Sequence, residues 1–148
     1  MKTVLFLCSG NTCRSPMAEC LFNQLCKERG LPLTAISAGM SARDGSPASD
    51  GSYHAMKERG LSLRHHRATM LTLRQLQDVS LIVAMTPSHV QLCRERFPEL
   101  AIPIRSFSPP IPDPYGGSLT LYRQTADAIA SQITLLAEEF SPAEGGTL

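Results

Sequence analysis

The order of segments in this 148-residue chain predicts an α/β fold, a mostly parallel sheet covered by helices on both sides. Three observations carry that prediction. The chain opens as strand, loop and helix; a continuous apolar run, Ser80-Leu81-Ile82-Val83-Ala84-Met85, suits a strand buried on both faces; and the last long segment is apolar at helical spacing.

Residues Thr3 to Leu7 are apolar and β-favouring, and a Gly/Ser/Asn-containing loop ending in Pro16 follows at once. Met17, Leu21 and Leu25, with Ala18 and Phe22 beside them, recur at helical steps up to Gly30, which suits a helix stop. Leu33 to Ala38 reads as a second strand. The stretch Gly39 to Ser52, rich in small and polar residues, reads as a mobile surface loop, serving equally as a substrate-touching rim or as a plain connection. Short helices are expected at Tyr53 to Arg59 and Thr72 to Gln77. Thr86-Pro87 opens another helix running to about Phe97. A short strand near Ile102 to Arg105 precedes a proline-rich loop, Ser108 to Ser118. The final helix carries Tyr122, Ala126, Ile129, Ile133, Leu136 and Phe140 on one face. Residues 1–140 are thus expected to form one domain, and residues 141–148 a flexible tail.

Composition narrows the partners. Fourteen Lys and Arg against thirteen Asp and Glu give a net charge of +1, without the broad basic footprint of a nucleic-acid binder or a polybasic membrane anchor. Anion recognition is therefore expected to be local. No apolar run approaches a bilayer span or a signal-peptide core, so a cytoplasmic location is expected, with neither nucleic acid nor membrane as partner. Five cysteines, an odd set without C-x-x-C pairs, fit a reducing compartment, and four histidines with only the adjacent pair His65 and His66 argue against zinc. No metal and no cofactor is expected. Arg64-His65-His66-Arg67 reads as a solvated turn with one structural histidine, the alternative being a basic patch.

The chemistry concentrates in Cys8-Ser9-Gly10-Asn11-Thr12-Cys13-Arg14-Ser15-Pro16, between the first strand and the first helix. Successive N–H groups of a tight loop and the free N–H groups of a helix's first turn make a concave anion site, to which the helix dipole adds positive potential. Gly10 and Asn11 tolerate positive φ and can turn the amides inward. In that field the Cys8 thiol is expected below its free pKa of roughly 8.5, a nucleophile aimed at a bound phosphate. Arg14 offers a permanently charged fork of donors to two phosphate oxygens, and Ser15 a hydroxyl to the sulfur. Cys-x5-Arg alone is a weak signal; its position between strand and helix N-terminus makes it informative.

The run Val4 to Glu19 resembles the low-molecular-weight protein tyrosine phosphatase family, and the resemblance extends through Ser37-Ala38-Gly39, Gly60-Leu61-Ser62-Leu63, His66-Arg67-Ala68, Val83-Ala84-Met85 and Asp113-Pro114-Tyr115. It implies a three-layer, Rossmann-like sandwich with a four-stranded parallel sheet of order 2-1-3-4. It also implies metal-free phosphoryl transfer from phosphorylated proteins through a phosphocysteine on Cys8, in a monomer or weak dimer. Arg14 with the loop residues Ser9, Gly10, Asn11, Thr12, Cys13 and Ser15 would hold the phosphoryl oxygens. Asn11, Ser15, Ser37 and His66 would form the supporting hydrogen-bond network, with His65 offering a neighbouring register. Asp113, restrained by flanking prolines, would be the general acid and base; without the family, an Asp-Pro turn is usually only a turn. Tyr115 would line the entrance, pack under its loop, or both.

Thr12 and Gly116-Gly117-Ser118 look closer to the protein-arginine phosphatase branch than to tyrosine-specific members, where a branched aliphatic usually holds the Thr12 position. Phosphoarginine is thus the expected substrate and phosphotyrosine the alternative. Arsenate reduction, a more distant alternative, needs resolving cysteines; Ala84-Met85-Thr86 lacks one, and Cys93 falls within an expected helix. Cys13, in the same loop as Cys8, is placed for oxidation to a Cys8–Cys13 disulfide that would protect the nucleophile, and Cys20 and Cys26 read as packing residues.

Overall fold

The computed structural model describes residues 2–140; the tail expected at 141–148 lies outside the described residues. The chain runs β1 (Lys2–Cys8), α1 (Arg14–Arg29), β2 (Leu33–Gly39), α2 (Asp50–Glu58), a single 3-10 turn (Arg74–Leu76), β3 (Val79–Ala84), α3 (Pro87–Arg96), β4 (Ile104–Ser106) and α4 (Leu119–Glu139). All strand pairs are parallel and the sheet order is β2-β1-β3-β4, as the resemblance implies.

Side chains alternate across β1 and build two cores. Val4, Phe6 and Cys8 face one side, where they meet Met17, Phe22 and Cys26 of α1, Ala55 and Met56 of α2, and the Tyr122-Ala126-Ile129-Ile133-Leu136 stripe of α4. Leu5 and Leu7 face the other side with Ile82, Ala84, Leu76 and Cys93 of α3. Phe6, fully buried, is edge-on to Phe22 at 5.6 Å and tilted against Phe107 at 6.0 Å. Burying a ring of that size contributes about 2–3 kcal/mol.

Four expectations need correction. In α1 Met17, Ala18, Phe22 and Cys26 are fully buried while Leu21 and Leu25 are half-buried, so beyond the first turn the inward face is turned by one position. The second helix begins at Asp50, three residues early, because the Ser49 side chain accepts from Ser52 N–H and caps it. The segment at 72–77 is only a 3-10 turn, closed by Thr72 N–H donating to Gln75 Oε1 and Gln75 N–H to Thr72 Oγ1. The last strand starts at Ile104 rather than Ile102, since Pro103 has no N–H and joins the sheet only by accepting from Ile82 N–H.

The segment between β2 and α2 is pinned rather than loose. Gly45 N–H donates to Ala68 O, Ala68 N–H to Ser46 O and Ser49 N–H to Thr12 O, and Met40 and Ala42 are buried. Ligand sites in such sheets lie beyond the carboxyl ends of the strands. Here those ends deliver Cys8 from β1, Ser37 from β2, Thr86 and His89 from the start of α3, and the 107–118 segment after β4.

Candidate active site

Cys8 is the last residue of β1, and the chain turns into α1 within five residues. The turn depends on Asn11, which takes φ 55°, a left-handed conformation that Asn tolerates better than most residues. Gly10, expected to share that role, has no positive φ. Asn11 is fully buried and its side chain ties the loop to three other segments. Its Nδ2 donates to Ser15 Oγ (2.8 Å) and Ser37 Oγ (3.0 Å), and its Oδ1 accepts from Thr69 N–H (2.9 Å). His66 Nε2 lies 2.7 Å from Asn11 O, which settles the register in favour of His66, while His65 is exposed. The four residues of the expected network are therefore in contact. Two members escaped the sequence reading: Thr69, and Glu19, whose Oε1 accepts from Ser37 Oγ at 2.6 Å. Burial pushes the Glu19 carboxyl up, and the Ser37 hydroxyl and His66 pull it down.

The loop surrounds a buried sulfur. Cys8 Sγ is 2.8 Å from Ser15 Oγ, and the N–H groups of Ser15 and Asn11 point at it. Arg14 is held almost fully buried by donating from Nη1 to Ile111 O (2.9 Å), which leaves Nη2 3.8 Å from Asp113 Oδ2. Asp113 is half exposed, and its Oδ1 accepts from Tyr115 N–H at 3.1 Å, a local turn that fixes the carboxyl after Pro112. Cys8, Gly10, Thr12, Cys13, Arg14, Asp113 and Tyr115 line one hollow of about 210 Å³ at the end of the sheet. Tyr115 stands at its rim, 77% exposed. The 39–52 segment contributes none of these lining residues.

α1 differs from α2 and α4 at its N-terminus. Ser49 and Ser118 cap those helices through side chains, whereas Cys13, at the start of α1, makes no such bond and the first turn holds no acidic residue. The first amides of α1, like those of α3, are thus left without a side-chain cap. Cys13 Sγ donates to Ser49 Oγ (3.3 Å) and lies 3.3 Å from Tyr122 Oη; burial and this contact push the Tyr122 phenol up to about 12.

One site expectation is corrected. Burial is the largest influence on Cys8 and pushes its thiol up; Ser15, the two amides and Arg14 pull it down without reversing the direction. Ser9 Oγ sits 2.8 Å from His89 Nε2 on α3, and Ser9 is not among the residues that line the hollow. His89 itself had no sequence signal beyond a position in a helix's first turn. Among the described residues no cluster of His, Cys, Asp and Glu is arranged to hold a metal ion. The cysteines are unpaired thiols, Cys26 and Cys93 buried in core and Cys20 half-buried against it.

Comparison with known proteins agrees with this architecture. A protein-arginine-phosphatase of Bacillus subtilis is 32% identical over 143 residues, spanning 92% of this chain and 95% of its own length. A low molecular weight protein tyrosine phosphatase from T. tengcongensis superposes with a TM-score of 0.90 at 37% identity, covering 95% of this chain and all of that one. A YwlE arginine phosphatase variant with a phosphorylated active-site serine superposes at 0.91 with 30% identity, over 96% of this chain and 97% of that one. The family model described as low molecular weight phosphotyrosine protein phosphatase matches residues 3–143, and the chain belongs to that family of hydrolases.

Proposed function

We propose that this chain is a cysteine-dependent protein phosphatase that prefers phosphoarginine and works through a phosphocysteine on Cys8. The observation that supports it most is the hollow lined together by Cys8, ringed by Ser15 and two amides, and by Arg14 and Asp113, whose side chains approach to 3.8 Å.

In the first step the Cys8 thiolate attacks phosphorus, and the P–N bond to the guanidino leaving group breaks with its electron pair on nitrogen. Asp113 delivers the proton that neutralises this leaving group. Arg14 and the loop amides hold the equatorial oxygens as charge spreads over them, which is the main work of phosphoryl transfer. In the second step water attacks phosphocysteine, Asp113 takes its proton, and phosphate leaves with the thiolate restored. Because burial opposes ionisation, Ser15, the two amides and Arg14 act chiefly by stabilising the thiolate once the proton has gone. The unpaired thiols suit a cytoplasmic enzyme.

Thr12 lines the hollow, and its hydroxyl is of a size and polarity to meet a guanidinium edge and the attacking water; a branched aliphatic would narrow the space and favour an aromatic ring. A relative named protein-arginine-phosphatase agrees with that reading. The aromatic rim at Tyr115 favours phosphotyrosine as the second reading. Turnover of phosphoarginine and phosphotyrosine proteins by wild type and Thr12→Ile separates the two. The expected result is a wild-type preference for phosphoarginine that Thr12→Ile reduces by about tenfold or more, a 1.4 kcal/mol change in discrimination. A wild-type preference for phosphotyrosine that is unmoved by Thr12→Ile refutes the arginine assignment.

A further inference from the structure

The phosphate loop is gripped from two sides. On the β2 side the anchors are Ser37, His66 and Thr69, all acting on Asn11. On the α3 side a different anchor meets the loop at its first residue: Ser9 Oγ lies 2.8 Å from His89 Nε2, and the other ring nitrogen, Nδ1, lies 2.8 Å from Thr86 Oγ1. Thr86 Oγ1 is in turn 2.8 Å from Ser88 Oγ. The imidazole is 3% exposed, so each ring nitrogen depends on these hydroxyls. A neutral imidazole carries one donor and one acceptor, and a pair of hydroxyls satisfies both in either tautomer.

We propose that His89 is a positioning residue for phosphoryl transfer, fixing Ser9 against α3 through the hydroxyl and thereby setting where the following amides meet the anion. This rests on reading the loop as a phosphate cradle. The backbone at Ser9 is already committed, since Ser9 O accepts from Ser41 N–H at 2.9 Å, and Gly39 lies so close beneath it that a side chain there would overlap Ser9 O. Cys8 O likewise accepts from Met40 N–H at 2.9 Å, so with the carbonyls on both sides of it fixed, the Ser9 side chain is the handle left on this residue. The ring stays neutral because burial and the Arg14 charge push His89 down to about 4, against the opposing pull of Asp113. A neutral ring adds no second cation beside Arg14, so its effect on the anion passes through Ser9.

The two ring positions make the idea testable. Gln at 89 places an amide where Nε2 stands and reaches Ser9; Asn places one where Nδ1 stands and reaches only Thr86. The readout is the rate of Cys8 alkylation by iodoacetate relative to iodoacetamide, because only iodoacetate carries an anion for the loop to orient. The ratio is expected to fall about fivefold to tenfold in His89→Asn and in Ser9→Ala, to fall no further in the double variant, and to recover most of its value in His89→Gln. Steady-state kcat on whichever phosphorylated substrate wild type turns over is expected to follow the same order, with KM changed less than about twofold. Thermal melting reports folding separately, and the half-exposed Ser9→Ala carries the test if a His89 variant fails to fold. An unchanged alkylation ratio in folded Ser9→Ala, or equal losses in Asn and Gln variants, overturns the proposal. Absence of phosphatase activity in wild type with the alkylation pattern intact would instead refute the proposed function and leave the anchor standing.

Discussion

Asn11 concentrates several demands in one side chain: a left-handed backbone, two buried donors and one buried acceptor, each with a partner. Asn11→Ala leaves Thr69 N–H without its acceptor and keeps a strained φ that Ala tolerates poorly. It is expected to destabilise the fold by about 2–4 kcal/mol in chemical denaturation and to lower activity at temperatures where the protein is still folded. His89 makes a pH-dependent contribution whose sign follows from its depressed pKa. The unfolded chain takes a proton on this ring near 6.5 and the folded chain only near 4, so the contribution is complete above 6.5 and is lost as pH falls between those values. The loss is about 3 kcal/mol, and stability curves of wild type against His89→Gln across pH 4–7 check it, the variant lacking that slope. Cys8, Arg14 and Ser15 were legible in the sequence because a nucleophile, a fixed cation and a helix start stood at close spacing, whereas Asp113, remote in sequence, came from the family resemblance, since an Asp-Pro turn alone usually marks only a turn. His89 was not legible, since its role exists only where α3 meets β1's loop.

At the scale of elements, the loop's shape is set by what lies beneath it. Gly39 ends β2, and a Cβ there would overlap Ser9 O and stand 3.0 Å from Asn11 N. Both atoms are backbone, so nothing flexible can yield. Gly39→Ala is expected to cost about 1–3 kcal/mol by overpacking and, by lifting the loop, to reduce turnover more than stability alone explains; melting curves and kcat measured together check this. Strand and helix existence was readable from apolar periodicity, and α4 nearly residue by residue. What periodicity could not give was the start of α2, fixed by the Ser49 cap, or the start of β4, fixed by a proline without an N–H. Those boundaries depend on single hydrogen bonds rather than on patterns, and the turn of the α1 face by one position depends on how the helix meets the sheet.

Over the whole molecule the separation of the two cores decides which thiols can meet. Cys8 and Cys13 belong to the face covered by α1 and α4, and Cys93 to the opposite face under α3, so the latter is not placed to resolve an oxidised Cys8. That arrangement favours hydrolysis over a thiol relay such as arsenate reduction. The near-neutral charge fits anion recognition confined to one loop, while the ion pairs Arg123–Glu58 and Arg105–Glu139 lie at the exposed periphery, away from that hollow. No helix among the described residues is long and apolar enough to cross a membrane. The proposed mechanism requires a covalent phosphoenzyme at Cys8, and rapid quenching during turnover of a phosphoarginine protein, followed by peptide mass mapping, tests it most directly. The prediction is one phosphoryl group on the peptide carrying Cys8, accumulating further in Asp113→Asn relative to turnover and missing in Cys8→Ala, which is inactive; phosphate on another residue, or turnover that survives Cys8→Ala, contradicts it.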